Sequence, residues 1–95
     1  PEFEGSKILG LEPKVVEGLF GVASFVRWEG NAIIRQYQND TCILDVIFYE
    51  EFSGEPFRAK HFESRSLSGV SLNIKDCIEG FFKDGEIPAQ LTKGG

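Results

Sequence analysis

Two cysteines and one histidine are the most reactive side chains of this sequence, and their spacing limits the chemistry they can do. Cys42 and Cys77 lie far apart in the chain, and His61 is the only histidine. Zinc sites use three or four ligands, commonly in closely spaced pairs, and these three residues show no such spacing. We therefore expect neither a metal nor another cofactor.

The two cysteines are predicted to form a disulfide bond. Cys42 opens a strand-like segment and shares its apolar face with Leu44, Val46 and Phe48, whereas Cys77 lies on the apolar stripe of a predicted helix. If that helix packs on that face, the two sulfur atoms point at each other. Two buried free thiols are the alternative. In the chain-entropy model, a bond that closes a loop of about 35 residues adds roughly 3–4 kcal/mol to the stability of the fold.

His61 alternates with Glu63 and Arg65 on one face of a predicted strand. A base, an acid and a cation on one face suggest an enzyme, and a small hydrolase or ligand-binding domain centred on His61 is one hypothesis. No nucleophile motif accompanies these residues, and charged side chains on a strand usually form a solvated face. We therefore expect no catalytic activity, and we interpret His61 as a surface or salt-bridged residue.

Charge and composition exclude several classes of protein. The 95 residues include ten Lys and Arg against fifteen Asp and Glu, so the net charge is −5. Nucleic acids and anionic membranes attract cationic surfaces, so we expect neither as a partner. No apolar run approaches the eighteen or so residues of a membrane span. The hydrophobic fraction of 41% is typical of a folded soluble protein.

The apolar spacing predicts two helices. Pro13 suits the first position of a helix over about 13–20, which ends before Gly21. A second amphipathic helix is predicted over about 74–84, with Asn73 as its N-cap and its apolar residues three and four positions apart.

Between the helices the apolar period changes to two, which indicates strands. Four are predicted, over residues 25–29, 32–38, 42–50 and 57–65, and Gly30-Asn31 is a two-residue turn between the first two. The sequence thus predicts an α+β fold in two layers, an antiparallel four-stranded meander with one helix before and one after the sheet on the same face.

The chain ends are expected to lie outside this fold. Pro1-Glu2-Phe3 resembles a cloning remnant, so the single domain is predicted over residues 4–85. Residues 86–95 contain Pro88 and end in two glycines, which predicts a loose C-terminal tail.

The sheet face opposite the core is the candidate binding surface. Tyr and Arg are over-represented among the residues that dominate binding energies. Exposed Ile and Tyr side chains on such a face favour a protein partner, although loops or further chain could cover them instead. The predicted protein-binding face consists of Arg35, Tyr37, Asp45, Ile47, Tyr49, His61, Glu63 and Arg65.

Several segments in order along the chain resemble the SmpA/OmlA-like (BamE-like) superfamily of small envelope proteins. They are Gly10-Leu11-Glu12-Pro13 at the start of the first helix, Val16 and Leu19-Phe20-Gly21 towards its end, Phe25, Glu29-Gly30, Gln36-Tyr37 and the hydrophobic strand Leu44–Tyr49. The resemblance implies a periplasmic protein, in many members held at the outer membrane by a lipid anchor that would precede this sequence. It also implies a non-catalytic adaptor or assembly-accessory role with another envelope protein as partner, and it agrees with a disulfide, because such bonds persist in the periplasm.

A beta-lactamase inhibitory protein has a tandem version of the same fold, which raises a second hypothesis. An inhibitor-like module would insert a loop or a sheet face into an enzyme cleft. The predicted loops at Gly30-Asn31 and Glu51–Pro56 are the segments that such a module would use.

Overall fold

The computed structural model describes residues 2–94, and within that range it contains four β-strands and two α-helices. Helix α1 spans Pro13–Phe20 and helix α2 spans Ile74–Glu79. The strands between them are β1 (Phe25–Glu29), β2 (Ala32–Gln38), β3 (Cys42–Tyr49) and β4 (Arg58–Ser66). Short 3-10 helices occur at Gly5–Lys7, Lys83–Gly85 and Ala89–Leu91.

The strands form one antiparallel sheet in the order β1-β2-β3-β4. Both helices pack on the same face of it, since Phe20 of α1 contacts Tyr37 and Cys77 of α2 is bonded to Cys42. The predicted two-layer α+β meander is therefore confirmed. The β1–β2 turn places Gly30 at a φ of 60°, which glycine adopts more readily than other residues.

The core lies between the sheet and the two helices. The largest fully buried side chains of the sheet are those of Tyr37, Phe48 and Leu44. Phe20 packs edge-on against Phe81, with their ring centroids 5.1 Å apart. The predicted disulfide is confirmed: Cys42 and Cys77 are bonded and fully buried, with their Cα atoms 5.5 Å apart.

Helix α2 is shorter than its predicted span of 74–84. It begins as expected, with the Asn73 side chain accepting a hydrogen bond from the Lys75 backbone N–H at 2.9 Å. It ends at Glu79, because the Cys77 carbonyl, which the Phe81 N–H would use in a continued helix, accepts hydrogen bonds from Asn39 Nδ2 at 3.1 Å and from the Gly80 N–H at 3.2 Å. The rings of Phe81 and Phe82 then pack against Phe20.

The chain ends are packed, which corrects the prediction of a loose tail over residues 86–95. Leu91 is fully buried, and its carbonyl accepts a hydrogen bond from the Glu4 N–H at 2.9 Å. Phe3, which the sequence analysis set aside, forms an antiparallel bridge with Thr92 and packs against the core. Apolar residues among the glycines and prolines of the tail therefore bury themselves against the other end of the chain.

Strand β2 has the opposite orientation from the predicted one, so Arg35 and Tyr37 do not belong to the binding face. Tyr37 pairs with Leu44 and Arg35 pairs with Val46, and paired residues of an antiparallel sheet point to the same side. Both therefore face the helices. The sequence analysis assigned both to the binding face because Arg and Tyr are common there, but burial of Ile33 and Tyr37 decides the orientation.

Strand β4 contains a β-bulge that strict alternation did not predict. The register shifts between Ile47 and Phe48, which pair with His61 and Ala59, so Lys60 is an extra residue. Ala59 is consequently buried in the core whereas His61 points outward, although alternation had placed both on one face.

Candidate functional site

The candidate site is the sheet surface opposite the helices, here called the outer face. It consists of Ile43, Asp45, Ile47 and Tyr49 on β3 together with the residues that pair with them on β2 and β4, and it continues onto β1. Six of the eight predicted residues lie on it: Asp45, Ile47, Tyr49, His61, Glu63 and Arg65. The other two, Arg35 and Tyr37, lie on the core side.

Asp45 is the centre of a hydrogen-bonded network on this face. Its carboxylate accepts a hydrogen bond from Gln36 Nε2 at 3.1 Å and one from an Arg65 guanidinium nitrogen at 2.5 Å. The Asp45 side chain is only 17% exposed, so the ion pair is better shielded from water than a typical surface pair. The network holds three side chains from three strands in fixed positions.

A depression of about 280 Å³ with a mixed polar and apolar lining lies beside the network. Ile34, Ile47 and Tyr49 supply its apolar surface, and Arg27 and Glu29 add charged groups to the lining. Tyr49 is 39% exposed, so a large aromatic side chain of β3 reaches solvent on this face. An apolar centre beside fixed polar groups is the pattern of a binding surface.

His61 and Glu63 form a surface ion pair. The distance from His61 Nε2 to Glu63 Oε2 is 3.1 Å, and both side chains are more than half exposed. The pair is open to solvent and is not enclosed in a cleft. Across residues 2–94, no group of three or more His, Cys, Asp and Glu residues is arranged to hold a metal ion.

A second hollow, of about 330 Å³, lies where the β3–β4 loop meets the sheet. Tyr49, Phe52 and Arg58 line it, and Lys60 Nζ contacts Glu51 Oε1 at 2.5 Å. The hydrogen bond and the charge of Lys60 lower the pKa of Glu51 below its ordinary value. Phe52 is 69% exposed, so this loop presents an aromatic side chain to solvent.

Tyr37 and Arg35 are neighbouring polar residues on the core side, of which Tyr37 is fully buried. Burial raises the pKa of Tyr37 above its ordinary value, and the nearby Arg35 charge opposes that effect. The Tyr37 hydroxyl and Arg35 Nε nevertheless make no hydrogen bond of acceptable geometry with any described group. This pair lies beneath α1 and is not part of the outer face.

The outer-face residues that sequence reasoning missed include Arg27, Glu29, Ile34 and Gln36. The turn at Gly30-Asn31 contained part of the signal. A two-residue turn pairs Glu29 with Ala32, and alternation from that pair brings Arg27 and Ile34 to one face. The turn does not say which side of the sheet that face is.

Comparisons with known proteins show no relative. A scan against protein-family models, a search of curated proteins and a search of solved structures each found no match. Across residues 2–94, no helix is long and apolar enough to cross a membrane.

Proposed function

We propose that this chain is a non-catalytic domain that binds another protein through the outer face of its sheet. The observation that carries the proposal is the uncovered outer face, on which Ile34, Ile47 and Tyr49 lie beside the preformed network of Asp45. Apolar side chains at the centre and polar groups at the rim are the anatomy of protein interfaces.

The fixed network favours binding for an entropic reason. Ordering a long side chain on association costs about 0.5–1.5 kcal/mol. Arg65 and Gln36 are already held by Asp45, so a partner would not have to order them. The paired charges also favour a protein of mixed surface charge over a nucleic acid, which needs unpaired cations.

The proposed location is the periplasm. The buried disulfide is compatible with an oxidising compartment outside the cytoplasm, where such bonds persist. The resemblance to small envelope proteins supports the same location and is the basis for proposing an outer-membrane adaptor. In that superfamily pattern both helices precede the sheet, whereas α2 follows it here, so the disulfide is the stronger support.

An inhibitor-like module is the second candidate function. The observation that favours it is the exposed Phe52 in the β3–β4 loop, beside the hollow of about 330 Å³. An exposed aromatic residue in a loop can fill a pocket of a partner enzyme.

Site-specific photocrosslinking tests both functions. A photoreactive amino acid at Glu63 probes the outer face, one at Phe52 probes the loop, and one at the exposed Lys14 of α1 is the matched control. Adducts with one protein from position 63, but not from position 14, are expected in cells that naturally contain the protein. Adducts from position 52 alone would favour the inhibitor-like module, and no adducts at any position would contradict both functions.

A further inference from the structure

The two edges of the sheet differ in how their backbone groups are covered. Along β4, the Gly10 N–H donates to the Ala59 carbonyl and the Ala59 N–H donates to the Leu11 carbonyl, both at 2.8 Å. At the other end of β4, residues 70–72 hydrogen-bond to its last residues. Along β1, all five residues are exposed.

The unpaired backbone groups of β1 belong to Val26 and Trp28. A two-residue hairpin turn makes its flanking residues, here Glu29 and Ala32, a hydrogen-bonded pair. Alternation then directs the N–H and C=O groups of Val26 and Trp28 away from β2. No described loop or cap hydrogen bond uses these groups.

Strand β1 lacks the features that usually protect an edge. Proteins block exposed edges with proline, charged side chains (lysine above all), bulges or covering segments. The segment Phe25–Glu29 contains neither proline nor lysine, its two charged residues are paired with each other, and its pairing with β2 shows no bulge. Val26 and Trp28, on the core side of the strand, are 43% and 63% exposed.

The charges of β1 are complementary to a second copy of the same strand. Arg27 and Glu29 point to the outer face, and Arg27 Nε lies 3.0 Å from Glu29 Oε2. In an antiparallel pair with its two-fold axis at Trp28, Arg27 would lie opposite Glu29 of the partner subunit. A two-fold axis at Arg27 would instead place like charges opposite each other, which is unfavourable.

We propose that two copies of this chain associate through antiparallel pairing of their β1 strands, with the two-fold axis at Trp28, into one continuous eight-stranded sheet. The two Trp28 residues would exchange backbone hydrogen bonds, and each Arg27 would pair with Glu29 of the partner subunit. The described chain ends cannot cover β1, because they pack together and Gly5 lies against Phe62 of β4. This inference does not rest on the proposed function, although Arg27 and Glu29 also lie at the β1 side of the outer face.

A charge-exchange experiment tests the proposal. Sedimentation velocity over micromolar to millimolar concentrations should show a monomer–dimer equilibrium for the wild type, weakened by high salt. Arg27→Glu and Glu29→Arg should each weaken dimerisation at least tenfold, because each places like charges opposite each other. An equal mixture of the two variants should form dimers again, since every opposing pair is then of opposite charge. Lys14→Glu, an equal charge change on α1, should leave dimerisation unchanged.

Other outcomes would overturn the proposal. A wild type that stays monomeric at millimolar concentration excludes the pairing. Dimers that Arg27→Glu and Glu29→Arg leave intact would use another surface, and failure of the mixture to form dimers would exclude the register at Trp28. Unchanged thermal midpoints of both variants will show that each result reports association and not unfolding.

Discussion

The two faces of the sheet contain similar residue types but differ in what their polar groups contact. On the outer face, the Asp45 carboxylate is paired with Gln36 and Arg65 and borders on solvent. On the core face, the Tyr37 hydroxyl is fully buried and has no partner. The polar atoms of this network on the outer face are therefore satisfied at little energetic cost, whereas the unpartnered hydroxyl on the core face is tolerated because the surrounding apolar packing outweighs its cost.

The difference predicts that substitutions of similar size have large effects on the core face and small effects on the outer face. Four measurements would test it, beginning with the largest expected effect.

Removing the disulfide should have the largest effect on stability. The double variant Cys42→Ala with Cys77→Ala frees a loop of about 35 residues, and the chain-entropy model then predicts a loss of about 4 kcal/mol in the free energy of unfolding. Urea unfolding measures it. Reductant should lower the wild-type midpoint and leave the double variant unchanged, and the non-reduced wild type should be two hydrogen masses lighter than its reduced form. A loss below about 1 kcal/mol would contradict the prediction.

Leu91→Ala should destabilise the fold by about 3 kcal/mol, because Leu91 is fully buried in the core. Leu67→Ala is the matched control, since Leu67 is half exposed in the β4–α2 connection, and it should change the stability by less than about 1 kcal/mol. Thermal and urea unfolding of both variants provide the comparison. Equal, small effects would mean that residues 86–95 contribute nothing to the core.

Tyr37→Phe should stabilise the fold by about 1 kcal/mol at neutral pH, because it removes a buried hydroxyl without a partner. The raised pKa of Tyr37 also predicts a pH dependence. The folded state favours the neutral Tyr37 phenol, and this preference contributes fully to wild-type stability below the unfolded pKa of about 10. The contribution is lost as the pH rises through the higher pKa of the folded state. The advantage of the variant should therefore grow in alkali. A destabilised variant would show that the hydroxyl has a partner in solution.

Tyr49→Thr should have the smallest effect, within about 0.5 kcal/mol, because Tyr49 lies on the outer face and Thr retains strand propensity. Under the proposed function, the same change weakens binding to a photocrosslinked partner by tenfold or more. Differential scanning calorimetry and titration with that partner measure the two quantities. A large drop in thermal midpoint would show that another element covers the outer face.

Local residue patterns were enough to predict most of the elements. Helix α1 has its predicted bounds, because Pro13 starts it, Gly21 ends it, and Val16 and Phe20 lie one turn apart. The disulfide was also predictable, because Cys42 and Cys77 each lie on an apolar stripe and two such stripes must pack together.

Long-range contacts decided the features that were predicted wrongly. The orientation of β2 depends on pairing with β3, and a one-residue change in register exchanges the two faces of a strand. The β-bulge at Lys60 depends on β3 in the same way, and the end of α2 depends on the Asn39 side chain. None of these has a local signature.

The sequence by itself determined the order of elements, the antiparallel meander and the disulfide, because turn residues and apolar periodicity act over a few residues. Tertiary structure alone decided which residues share the outer face and how the chain ends are buried. It also decided that other segments hydrogen-bond to the edge of β4 whereas the edge of β1 stays exposed. The physical reason is that a face or an edge is formed by residues from several strands and distant segments. Only the folded register brings Asp45, Gln36 and Arg65 into contact.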